Sequence, residues 1–256
     1  MKFSRLREKR GGQVFSTFLF YGVTVPVVFS ILILMMPVVF VSPKFAFRLY
    51  SRLMRVVLFF LNIFLGIRVT FENLALLEDL KKQYPCFLLA VKHQSIVETL
   101  IFSLFFDSFN IILKKEALKI PIAGFYMKHM KFIAIDRNEG KQALKSMIEQ
   151  CEKSVQEGRP ILIFPEGTRV PVGQKGVYRK GVAVLYKNLS VPILPVAHNA
   201  GAFFPHRQLS KKPGVITFRF LPPILLGLEE EEALATVEKS IESACQDLAS
   251  RPERKG

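Results

Sequence analysis

His93 and Glu98 stand five positions apart, and about seventy residues further on comes Phe164-Pro165-Glu166-Gly167-Thr168-Arg169. An imidazole beside a carboxylate is the pairing of a general base with the acid that orients it. A glycine lets backbone approach a ligand closely, and a guanidinium forks onto anionic oxygens. The two stretches together read as a transferase site, one part supplying a base and the other holding an anion.

The five-residue spacing dictates local structure. On a regular helix it places two side chains about 140° apart, and on a strand it puts them on opposite faces. A strand that ends near His93 and turns at once into a helix brings them together, with Glu98 in the first helical turn. Ser95-Ile96-Val97-Glu98 also has the form of a capping box, in which Ser95 bonds a backbone N–H and Glu98 reaches back to the cap's own N–H. Taken alone, Glu98 fits either role.

The elements around these residues alternate. Short apolar runs predict strands over 68–71, 86–91, 110–113, 132–135, 160–164, 193–197 and 215–221. Helical spacing predicts helices over 74–83, 98–106, 141–156 and 231–249, with Gly158 as a stop for the third. The last carries an apolar stripe of Leu234, Val237, Ile241, Cys245 and Leu248 behind the acidic start 229–232. The pattern predicts an α/β fold, a mixed sheet flanked by helices, over residues 68–256.

Residues 1–67 differ in kind. No charged residue lies between Arg10 and Lys44, which leaves 28 uncharged, mainly apolar positions over 14–41, more than the roughly 20 that a membrane helix needs. The run is too long for a signal-peptide core, and no alanine precedes Ala46 to build a cleavage site. Pro26 and Pro37 predict a kinked or re-entrant path. Residues 45–67 form a second hydrophobic segment in which Arg48, Arg52 and Arg55 share one helical face, suited to anionic headgroups. Lys2, Arg5, Arg7, Lys9 and Arg10 make the other flank basic against Glu8 alone, so both flanks prefer the cytoplasm. The expectation is a helical pair that dips into the inner leaflet; a single spanning helix is the alternative.

A formal charge of +15 is accounted for by these flanks and anionic lipid, and no nucleic-acid motif accompanies it. Cys86, Cys151 and Cys245 are odd in number, far apart and without metal-ligand spacing, which predicts reduced thiols and no metal.

Read in order, four blocks resemble the glycerolipid acyltransferase family. His93 to Thr99 is similar to its His-x4-acid block, with Glu98 where Asp is usual, as in a proteobacterial branch. Lys115-Glu116, Pro121, Gly124 and Ile135-Asp136-Arg137 resemble the acceptor block; Phe164 to Arg169 resembles the third and Val191 to Val196 the fourth. The resemblance covers about 68–224.

It implies acyl transfer from acyl-CoA or acyl-ACP, as co-substrate and with no cofactor, to the free hydroxyl of a lysophospholipid, lysophosphatidic acid if the common family acceptor applies. His93 would be the base and Glu98 its orienting acid, with no acyl-enzyme; Ser95 reads as a cap. Lys115, Arg137 and Arg169 would hold the phosphate, Gly167 and Thr168 would shape the turn, and Glu166 would position it or Arg169. Arg137 could instead pair with Asp136 or a helix carboxylate. Tyr178 and Arg179 could extend the site, whereas His129, His198 and His206 read as structural. Partners would be lysophospholipid, acyl thioester, anionic membrane lipids and acyl carrier protein, at the cytoplasmic face of a bacterial inner membrane. A thioesterase or lysophospholipase could use the same His-Glu pair on water, and a non-catalytic lipid-binding scaffold is disfavoured because all four blocks keep their polar residues.

Overall fold

The computed structural model describes residues 10–251; the basic flank at Lys2, Arg5, Arg7 and Lys9 lies outside them. Helix α1 (Arg10–Val41) is followed by α2 (Pro43–Phe60), whose first turn is closed by Ser42 Oγ accepting the Phe45 N–H at 3.2 Å. The chain leaves α2 through a wide π turn, Leu61–Leu65, ended by Gly66 at φ +67°. Helix α1 runs through Pro26 and Pro37 without a break. Each proline removes one backbone bond, and the burial of Phe20, Met35 and Val39 against the body of the protein holds the helix through both.

Seven strands follow among the described residues: β1 (Ile67–Glu72), β2 (Leu88–Val91), β3 (Asn110–Lys114), β4 (Ile133–Ile135), β5 (Ile161–Ile163), β6 (Ile193–His198) and β7 (Gly214–Phe220). They form one sheet in the order β1-β7-β6-β2-β5-β3-β4, in which β6 and β7 run antiparallel and every other neighbouring pair is parallel. All seven fall where the apolar runs predict them, and the sheet is mixed as expected.

Helices α3 (Leu74–Gln83), α6 (Lys141–Gln156) and α9 (Glu230–Ser250) also match the reading. Gly158, at φ +63°, closes α6 in the left-handed conformation that favours glycine. The helix expected over 98–106 is shorter: α4 is Val97–Ile101, and the chain tightens into a 3-10 turn at Phe102–Leu104. That tightening swings Phe102, Phe106 and Phe109 into one core cluster. Three helices had no signal in the sequence reading: α5 (Ala123–His129), α7 (Gly181–Leu189) and α8 (Ala200–Phe203). The first and last are about one turn or two, and α7 is nearly all apolar because its Val182, Ala183, Leu185 and Tyr186 are all buried.

Period-two alternation divides the core into two layers. Leu89, Val91, Leu162, Leu194 and Val196 face a cluster shared with α1 and α2, whereas Leu88, Ala90, Ile161, Ile163 and Ile193 face a cluster shared with α6, α7 and α9. Residues of α1 and α2 thus contribute to the same buried core as the sheet.

Helix α1 touches the sheet domain near both of its ends. Ser210 Oγ donates to Gln13 Oε1 at 2.9 Å, the Lys211 N–H to Thr17 Oγ1 at 3.3 Å, and Phe20 and Tyr21 lie edge-on to Phe204. At the far end Tyr126 donates to the Leu32 carbonyl at 2.6 Å, and Phe40 meets Phe125 and His129 edge-on. Its outer side is apolar and uncovered, with Phe15, Phe18, Leu34, Phe40 and Val41 all exposed.

Candidate active site

The carboxyl ends of the parallel strands collect the residues singled out in the sequence. His93 follows β2, Lys115 follows β3, Arg137 follows β4, the Glu166 to Arg169 turn follows β5, and His198 ends β6. Open α/β sheets place ligands at that end.

The turn from β2 into α4 does what the five-residue spacing requires. His93 Nδ1 lies 2.9 Å from Glu98 Oε1, and the same oxygen accepts the Gln94 N–H at 2.8 Å and the Ser95 N–H at 2.6 Å. Both roles foreseen for Glu98 are therefore filled by one atom. Burial by itself raises the Glu98 carboxyl, but the His93 bond, the neighbouring histidines and the Ser95 N–H outweigh it and hold the group below the usual carboxylate range. A carboxylate accepts, so Nδ1 carries the proton and Nε2 has its lone pair free.

The ring itself is fixed. It stacks on Phe164 with centroids 3.9 Å apart and planes 18° apart, and 14% of its side chain is exposed. Ser95 is fully buried and donates through Oγ to the Phe204 carbonyl at 2.6 Å, so its hydroxyl faces structure and not substrate.

The third block braces His93 from beneath. Glu166 is buried, and its Oε2 accepts the His93 N–H at 3.0 Å while Oε1 accepts from Lys92 Nζ at 2.7 Å. Its bonds thus tie the turn to Lys92 and to the main chain of His93, and none of them runs to Arg169. The Val170 N–H returns to the His93 carbonyl at 2.8 Å, which locks the two blocks together.

Two guanidinium groups flank the turn. Arg169 Nε donates to the Ser95 carbonyl at 3.0 Å, on the His93 side. Arg137 donates through Nη1 to the Gly167 carbonyl, not to Asp136 or a helix carboxylate. Gly167 has φ +68°, and a Cβ there would meet Arg137 Nη1 at 3.4 Å, so glycine answers both the backbone and the close approach. Partial burial lowers the Arg137 guanidinium from its ordinary value, against the pull of Glu116 and with a smaller push from Arg179. Thr168 is exposed on the turn. Lys115 lies further out, 3.6 Å from Asp136 and more than half exposed.

The remaining histidines divide. His198 is fully buried; its Nδ1 accepts the Ala200 N–H at 3.2 Å, so Nε2 carries the proton and donates to the Lys92 carbonyl at 2.7 Å. His129 Nδ1 meets the Phe125 carbonyl at 2.8 Å. His206 stands beside Arg169, with Nδ1 3.4 Å from Nη1, at the rim of the site.

Tyr178, foreseen as an extension of the site, is buried below it and donates to Glu242 Oε1 at 2.8 Å. The sequence reading did not single out Lys92 or Glu242 as functional. A lysine directly after the four buried apolar residues of β2 was the available signal.

A wide cleft of about 1250 Å³ opens at the opposite, amino-terminal end of the sheet. Arg48, Arg52 and Arg55 line it from α2, with Lys81, Lys131 and Arg159 across from them, and His93 is not among its residues. It shares one helical face as the arginine spacing predicts, but it is remote from the chemistry.

Comparison with known proteins agrees with this arrangement. Residues 68–199 match the family described as Acyltransferase. A 1-acyl-sn-glycerol-3-phosphate acyltransferase of Pseudomonas aeruginosa is 36% identical over 209 residues, 80% of this chain and 79% of that protein. Another of the same name from Helicobacter pylori is 32% identical over 112 residues, 43% of this chain and 46% of that protein. Among solved structures, the 1-acyl-sn-glycerophosphate (LPA) acyltransferase PlsC of Thermotoga maritima has the same fold, with a TM-score of 0.74 at 20% identity, over 94% of this chain and 99% of that one.

Proposed function

The chain belongs to the acyltransferase family, and on that premise we propose that it transfers an acyl group from an acyl thioester to the free hydroxyl of 1-acyl-sn-glycerol-3-phosphate, with His93 as general base. The observation that carries this reading is the Nδ1 to Glu98 contact of 2.9 Å, which leaves the lone pair of Nε2 free on a part-exposed ring, with Arg169 bonded to the Ser95 carbonyl two residues on.

The steps balance without an acyl-enzyme. Nε2 takes the acceptor's hydroxyl proton as the oxygen bonds to the thioester carbonyl carbon. The tetrahedral oxyanion collapses, the carbon–sulfur bond breaks, and the thiolate receives the proton from the imidazolium. Glu98 stays ionised and stabilises that imidazolium. General-base help of this kind contributes about 10² to 10⁴ in rate. Arg169 and Arg137 keep N–H groups for phosphate oxygens after bonding the main chain, and Lys115 adds a point charge at the rim.

Acyl-CoA and acyl-ACP both supply the required thioester. The apolar outer side of α1 and the arginine face of α2 fit a bilayer surface at the cytoplasmic face of a bacterial inner membrane. Two attachments of α1 to the sheet domain, about 40 Å apart along the helix, favour a dip into one leaflet over a crossing.

The test incubates purified protein in nanodiscs with acyl-CoA or acyl-ACP and lysophospholipids differing in headgroup, alongside His93→Ala. Transfer to 1-acyl-sn-glycerol-3-phosphate that is lost in the variant, with its circular dichroism unchanged, is expected. Near-normal turnover by His93→Ala ends the reading, and free fatty acid formed without acceptor replaces it with a hydrolase.

A further inference from the structure

Beneath the catalytic turn lies a buried charged cluster that includes a residue far outside the matched family region. Lys92 is 1% exposed, yet every polar atom it has is engaged. Its N–H donates to the Val196 carbonyl at 3.1 Å, and its own carbonyl accepts from His198 Nε2 at 2.7 Å. Its ammonium donates to Glu166 Oε1 at 2.7 Å and to Glu242 Oε1 at 2.6 Å. The two carboxylates raise the Lys92 ammonium against the burial that would lower it, so it stays charged.

Glu242 is on α9, the last helix. Its Oε1 also accepts a hydrogen bond from the Tyr178 hydroxyl at 2.8 Å, and the same helix reaches the catalytic side again where Cys245 Sγ lies 3.6 Å from the His198 carbonyl. A chain of hydrogen bonds thus runs from α9 through Lys92 to Glu166, whose second oxygen holds the His93 N–H at 3.0 Å.

We propose that Glu242 is a positioning residue for the catalytic base: through Lys92 and Glu166 it fixes the main chain of His93, making the C-terminal helix part of the catalytic apparatus. The inference rests on the reading of His93 as base. Without Glu242, Lys92 has one carboxylate instead of two and Tyr178 has lost its acceptor. The ammonium is then free to draw Glu166 off the His93 N–H. Glu242 touches no substrate, so its loss acts on turnover and not on acceptor or donor affinity.

Three variants test this: Glu242→Ala, Glu242→Gln and Val237→Ala. The valine is fully buried on the same helix and its side chain carries no polar atom, so its variant measures helix destabilisation alone. Two readouts are taken, steady-state kinetics and the rate at which diethyl pyrocarbonate modifies the His93 peptide, which needs no substrate.

Glu242→Ala is expected to lower kcat about 10- to 100-fold with both KM values within about twofold, and to change the His93 modification rate severalfold. Glu242→Gln keeps an acceptor and should recover part of each loss. Val237→Ala should lower the thermal midpoint and leave kcat and His93 reactivity as in the parent. Unchanged kcat and unchanged His93 reactivity in Glu242→Ala overturn the proposal; so does an equal loss in Val237→Ala at equal thermal destabilisation. Absence of transfer by the parent protein counts against the proposed substrate, while the modification rate still judges Glu242.

Discussion

Oε1 of Glu98 lies 2.6 Å from the Ser95 nitrogen and 2.9 Å from His93 Nδ1, so the atom that closes the helix start is also the one that orients the imidazole. Capping and catalysis are usually weighed as rival explanations for such a glutamate. Here the cap bonds hold the carboxylate still, and a still carboxylate holds the ring.

That arrangement separates charge from shape. Glu98→Gln keeps an oxygen for the Gln94 and Ser95 N–H groups but removes the charge that stabilises the imidazolium. Turnover is expected to fall about 10²- to 10⁴-fold with KM little changed, and Glu98→Asp, which keeps the charge on a shorter arm, should fall between the two. Steady-state kinetics of the pair checks this, and parental turnover in Glu98→Gln would reduce Glu98 to its capping role.

Arg169→Ala should raise KM for the phosphate-bearing acceptor. Loss of a charge-assisted bond of about 1.5–3 kcal/mol corresponds to roughly 10- to 150-fold in affinity. The comparison is a monoacylglycerol, which offers a hydroxyl and no phosphate; an equal effect on both acceptors would show that the guanidinium serves the Ser95 carbonyl alone.

Gly176 carries no catalytic atom, yet a Cβ on it would lie 2.5 Å from Glu166 Oε1 and 2.7 Å from Val170 Cγ2. Gly176→Ala should therefore push Glu166 off Lys92 and the His93 N–H, lowering kcat about tenfold and stability by about 1–3 kcal/mol. Gly181→Ala, whose Cβ would meet only Met147 Cε at 3.5 Å, is the matched control in both assays.

His198 predicts the acid side of the stability profile. Burial lowers its imidazole from an ordinary value of 6.5, ahead of the opposing pull of Glu98. Above that value both folded and unfolded chains hold it neutral; below it the unfolded chain gains a proton that the folded one refuses, so stability falls as pH drops from about 6.5. The unfolding free energy should decline between pH 7 and 5, by up to about 1.4 kcal/mol per pH unit for this one proton, and the thermal midpoint should fall with it. His198→Gln should be less stable at pH 7 and flatten the decline; an unaltered slope would place the sensitivity elsewhere.

Phe18 and Leu34 sit on the uncovered side of α1, at 60% and 77% exposure. Phe18→Glu and Leu34→Glu should leave folding intact and weaken cosedimentation with vesicles containing anionic lipid, each apolar side chain contributing about 1.5–3 kcal/mol when buried. Equal vesicle binding by the double variant would refute a membrane role for this face.

What could be read from the sequence was what is local. His93 and Glu98 are five residues apart and their meeting follows from one turn; strands β1 to β7 follow from runs of buried side chains. Lys92, Glu166 and Glu242 are joined across separations of 74 and 150 residues, and no period or spacing announces such a pairing. Glu166 was expected to position its turn or Arg169, and the lysine it meets, 74 residues earlier, could not be read from that turn. Helix α7 was missed because it is only nine residues long, too short for its buried face of Val182, Ala183, Leu185 and Tyr186 to repeat along the chain.

The double attachment of α1 has a mechanical outcome. A helix clasped at both ends cannot tilt or slide to suit its surroundings, so on the proposed membrane reading folding itself sets how high the imidazole rides above the hydrocarbon. Bilayers of different thickness should then meet the same rigid profile, and the proposed acceptor's hydroxyl would travel to His93 at a level that the lipid does not choose.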